Sequence, residues 1–140
     1  MEFSFNKDKW RGIMSLSSER EEVKYFEREM QILLKEEVAL SREVLSNLSQ
    51  QEYVLLIGDI DLSKELRNDY VSLTKQKLRF SKEKARIKKN KQWQLTRNNI
   101  QIRVLNEELC ALHDKIEKQF SLNEHLLSII GQESPLSKLE

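Results

Sequence analysis

The sequence predicts an all-α protein: an antiparallel bundle or coiled coil of three long helices, or of two if the second half runs unbroken. Apolar residues recur every three or four positions along most of the chain, the spacing that keeps one side of a helix dry. One proline and three glycines in 140 residues leave little turn material for a sheet. Charged residues make up 34% of the chain, enough to solvate the outer faces of long helices. The length fits one domain with a shared core.

Residues 1–17 show no sustained period, with Phe3, Phe5, Trp10, Ile13 and Met14 scattered among polar residues. They are expected to form a loosely ordered arm whose aromatics rest on the bundle, or else a peptide that a partner recognises. Ser18-Glu19-Arg20-Glu21 has the form of a capping box, so a first helix is expected from about Ser18 to Ile57. Its apolar stripe is Val23, Phe26, Met30, Leu33/Leu34, Val38, Leu40, Val44/Leu45, Leu48 and Leu55/Leu56. Glu37 falls within the stripe, either as a buried polar specificity element or, the preferred reading, as an edge carboxylate reaching for a Lys or Arg. At Ile57-Gly58-Asp59-Ile60-Asp61 the chain should turn, because glycine readily takes the left-handed conformation that ends a helix and either aspartate can cap the next one.

A second helix is expected from about Asp61 to Lys88, with Leu66, Tyr70, Leu73, Phe80 and Ile87 on one face and Lys77 and Lys84 as interruptions. Lys88-Lys89-Asn90-Lys91 carries no apolar residue and is the natural break, which would bring Lys89 back beside Glu21. A third helix is expected from about Gln92 to Ile130, with a heptad seam of Leu95, Asn98, Ile102, Leu105, Leu109, Leu112 and Ile116. Near its end Ser121-Leu122-Asn123-Glu124 repeats the capping-box form and could open a separate short helix before Gly131 and Pro135 stop it. The domain reading is thus an arm over 1–17, a bundle over 18–131 and a tail over 132–140.

Net charge is +1, but residues 19–65 balance to −6, residues 66–103 to +10 and residues 104–140 to −4. Each acidic helix then has the basic one as a complementary neighbour, which selects the arrangement more than it stabilises it. No apolar run approaches a membrane span, and the first residues lack the apolar core of a secretory signal. With Cys110 as the single cysteine no internal disulfide can form, so a cytoplasmic protein is expected.

Little in the sequence looks like a reaction centre. Neither His113 nor His125 has a Cys, Asp or His three or four residues further on, and Glu117 after His113 is a single chance match, so no metal and no cofactor are expected. Cys110, next to Leu109, reads as a buried or half-buried structural thiol. Asp59 and Asp61 read as caps, and phosphate-cradling or nucleophile-elbow motifs are missing, so the chain is not expected to be an enzyme. The basic run from Lys82 to Trp93 could hold a nucleic-acid backbone, but in a nearly neutral chain a solvated face that offsets the acidic helices is the preferred reading.

Leu33-Leu34-Lys35-Glu36-Glu37 with its leucine-rich continuation, then Leu56-Ile57-Gly58-Asp59, then Leu62, Leu66, Tyr70 and Leu73 resemble the FlgN family of cytosolic flagellar export chaperones. Asn98-Asn99 with Leu105 looks loosely like that family's third helix, so the resemblance covers about residues 30–110. The basic run, the aromatic arm and the apolar segment near Ile130 depart from the family pattern, which leaves a flagellar and a virulence-type secretion system equally open. The resemblance implies a chaperone that binds export substrates through apolar helical surface; a stalk-like coiled-coil component contacting the export ATPase is the neighbouring alternative, and a basic-patch nucleic-acid binder the remote one.

The partner site is expected on Phe120, Leu122, Leu126, Leu127, Ile129 and Ile130, which cover a wider arc of helix than one seam needs. The competing reading is that they close the bottom of the bundle or of a homodimer.

Overall fold

The computed structural model describes the backbone of residues 7–90 and 99–131, and the side chains of residues 20–90 and 99–131. Three helices account for nearly all of it: α1 (Lys7–Leu56), α2 (Ile60–Lys88) and α3 (Ile100–Ile130). No helix among the described residues is long and apolar enough to cross a membrane.

The α1–α2 turn follows from two residues. Gly58 takes φ +81°, the left-handed region that costs an L side chain about 1 kcal/mol or more. Asp59 then caps α2, its carboxylate accepting the Leu62 amide at 3.1 Å. α2 stops at Lys88, so the long second half does not form one rod. Asn99 opens α3, its side chain accepting the Ile102 amide at 3.0 Å, and Gly131 closes it at φ +78°.

The helices run up, down and up. α2 is antiparallel to α1, as the pairs Glu29–Arg86, Glu37–Lys84 and Asn47–Leu66 show. α3 is parallel to α1, with Gln31 beside Asn99, Arg42 paired with Glu108 and Glu52 with Gln119. Asn90 lies in one crease with Glu21, Glu22, Tyr25 and Phe26, which puts the end of α2 beside Glu21 as the break after Lys88 predicts. Acidic α3, however, packs on acidic α1 and not on basic α2, so the charge pattern does not select the arrangement. α1 is the central helix: it packs closely on both others, while α2 and α3 meet mainly through long side chains such as the stacked rings of Tyr70 and Phe120, 5.6 Å apart. The segment of α1 before Glu21 runs on beyond the end of α2.

Two core clusters lie along this bundle. Away from the α1–α2 turn, Met30, Leu34 and Val38 meet Ile87, Ile102, Leu109 and Leu112. Nearer the turn, Val44, Leu48 and Tyr70 pack with Leu73, Ile116 and Phe120. Lys77 and Lys84 do not interrupt the α2 stripe; both hold seam positions, half-buried in register with Tyr70, Leu73, Phe80 and Ile87.

Several expectations are corrected. α1 begins at Lys7 and passes through Ser18, because nothing between those residues stops a helix and Gly12 only weakens one. α3 begins at Ile100 rather than Gln92, since Asn99 supplies the cap; Leu95 and Asn98 lie outside the described residues. α3 also runs unbroken through Ser121, so that capping-box pattern opens no separate helix. In the first stripe Val54 and Leu55 are buried while Leu56 is exposed. Glu37 is buried rather than at the edge, and Cys110 is exposed, one step around the helix from the seam residue Leu109.

Candidate functional site

The six residues singled out on α3 divide by helical register. Phe120 stacks on Tyr70 and joins the cluster of Val44 and Leu48, and Leu127 is only 1% exposed. Leu126 is half-buried. Leu122, Ile129 and Ile130 face outward, at 41%, 67% and 40% exposure. The bundle therefore absorbs half of the apolar surplus and leaves the other half in water.

The exposed half has company. α3 runs parallel to α1 with Gln119 level with Glu52, so its last turns lie at the end of the bundle that carries the α1–α2 turn. There Tyr53, Leu56, Ile57 and Leu62 are also exposed. Seven of the twelve large apolar side chains exposed among the described residues thus gather at this end, while Tyr25, Ile32, Ile100 and Val104 lie toward the opposite end and Leu78 between.

Behind this surface the interior mixes polar side chains with the buried Val54, Leu55 and Leu127. Asn123, 2% exposed at the seam position after Gln119, donates to the Leu48 carbonyl at 2.8 Å and accepts from Gln119 at 3.1 Å. Gln119 also donates to Glu52 at 2.7 Å. On the α2 side Gln51 donates to Asn47 at 2.6 Å, and Asn47 to the Leu66 carbonyl at 2.9 Å. Arg67, also buried, donates to the Ser63 carbonyl at 3.2 Å. These bonds tie all three helices in one register, the role for which a polar seam residue is best attested. Sequence reasoning missed them because it followed the α3 heptad only to Ile116. The same three-four step continues to Gln119 and Asn123, and that spacing was the available signal.

Midway along the bundle sits a charged cluster. Glu37 meets Lys84 at 2.7 Å, and both side chains are largely removed from water. Burial lowers the Lys77 pKa, with Lys84 adding to it and Glu37 opposing it. Partial desolvation, then Lys77 and Lys84, likewise hold His113 below its ordinary value against the pull of Glu37 and Asp114. Near the turn end, burial followed by the charge of Glu124 raises the Tyr70 pKa. Arg86 is shared between Glu83 at 3.1 Å and Glu29 at 2.5 Å, so part of the basic run offsets acidic α1. No group of three or more His, Cys, Asp or Glu side chains suited to a metal ion stands together among the described residues.

No protein-family model matches the chain, and neither a curated protein nor a solved structure matches it.

Proposed function

We propose that this chain is an export chaperone of a flagellar or type III secretion system, acting in the cytoplasm by holding a protein substrate against apolar helical surface and not by catalysis. The observation that carries the reading is the gathering of exposed apolar side chains, Leu122, Ile129 and Ile130 of α3 with Leu56 of α1 and Ile57 of the turn, at one end of a bundle whose core is already closed. The resemblance of Leu33 to Glu37, of Leu56 to Asp59 and of the leucines of α2 to the FlgN family supplies the specific form of the proposal. The internal pairing of Lys84 and Arg86 with Glu37 and Glu29 favours a protein partner over a nucleic acid, because it commits part of the basic run within the bundle.

Affinity purification of the full chain from cells carrying such a system, with mass spectrometry of the bound material, tests the proposal. An export substrate that stays bound near 1 M salt is the expected result, since apolar contacts are not screened. Nucleic acid as the dominant species, released steeply by salt, would overturn it.

A further inference from the structure

The face of the α1–α2 pair turned away from α3 carries a second surface of different character. Two creases between these helices meet at Ser72: one is walled by Asn47 of α1 with Leu66 and Leu73, the other by Leu33 of α1 with Phe80. Together they run from Leu66 to Glu83 along α2, about 26 Å at 1.5 Å per residue. Leu66, Leu73 and Phe80 stand one heptad apart and each is half-buried, so the floor repeats at the interval a helical partner presents. No α3 residue lines either crease.

The charges along the rim are segregated. Glu43 and Asp69 flank the part nearer the Gly58 turn, and Lys75 and Arg79 flank the other part. None of these four makes an ion pair among the described residues, whereas Glu83, which also lines the groove, is taken up by Arg86. We propose that this groove is a docking site for one amphipathic helix of a partner protein, about 17 residues long, with an apolar stripe and oppositely charged ends. A basic end meets Glu43 and Asp69, and an acidic end meets Lys75 and Arg79. A second copy of this chain fits less well: residues 19–65 are acidic, residues 66–103 basic, and α3 mixes both signs along its length. The groove lies on a different face from Leu122, Ile129 and Ile130, so it stands independently of the chaperone reading.

The test uses the full chain and two stapled 18-residue helical peptides of identical composition, with leucines at heptad positions. One carries its glutamates in one half and its lysines in the other; the second intersperses them. Fluorescence anisotropy should show the segregated peptide binding about tenfold more tightly, with the preference fading as salt rises. In Lys75→Glu/Arg79→Glu, two exposed positions whose change leaves folding intact, the preference should vanish, while Leu122→Ser/Ile129→Ser should leave it untouched. Equal binding of the two peptides, failure of both to bind, or a solution dimer that the Lys75→Glu/Arg79→Glu change dissociates would each overturn the proposal.

Discussion

The two ends of the bundle solve the same packing problem with different side chains. Away from the turn, Met30, Leu34, Val38, Ile87, Ile102, Leu109 and Leu112 make an apolar core whose one buried charged side chain, among the described residues, is Glu37, paired with Lys84. Toward the turn, the interior holds Asn47, Gln51, Arg67 and Asn123 beside Val44, Leu48 and Tyr70, and apolar side chains stand outside instead. Burying polar groups costs free energy that only complete hydrogen bonding offsets, so the polar end is the weaker contributor to stability and the stronger contributor to register. The same end that spends interior positions on amides presents leucine and isoleucine to water. That inversion is the ground on which we propose it as a surface for another chain.

The largest effect is expected in the apolar core. Leu34→Ala should cost about 2–5 kcal/mol in urea denaturation, since Leu34 is wholly buried and its neighbours lie on all three helices. Next comes the buried ion pair beside that core. Glu37→Leu should cost about 3 kcal/mol by stranding Lys84, whereas Glu37→Leu with Lys84→Met should recover most of that, a double-mutant cycle that separates pairing from packing. At the polar end Asn123→Ala should cost about 1–3 kcal/mol by the same denaturation measurement, through its bonds to Leu48 and Gln119. A cost equal to that of Leu34→Ala would erase the contrast between the two ends. At the turn, Gly58→Ala should cost about 1 kcal/mol; a new Cβ would meet nothing within 4 Å, so only the left-handed backbone matters.

How much of this was legible in the sequence follows the same division. The apolar seam was readable because apolar residues at three-four spacing have one interpretation, and Gly58-Asp59 marked the turn because few other residues serve there. The polar seam was not, because Asn123 and Gln119 look like surface residues until a neighbouring helix is placed against them. Glu37 was misplaced for a related reason: whether a carboxylate in a stripe is buried depends on a partner 47 residues away, Lys84, which itself looked like an interruption. Of the α3 segment, the sequence located the apolar surplus but could not tell that Phe120 and Leu127 turn inward while Leu122 and Ile129 turn outward. That depends on where α1 and α2 stand around the helix.

The smallest expected effect on folding is also the most direct test. In Leu122→Ser/Ile129→Ser both changes fall on exposed positions, so the unfolding free energy should stay within about 0.5 kcal/mol of the parent. Titration calorimetry with the co-purified partner should nevertheless show at least about a tenfold loss of affinity. Unchanged affinity, or a loss of several kcal/mol of stability alongside it, would contradict the assignment of this end of the bundle to partner binding.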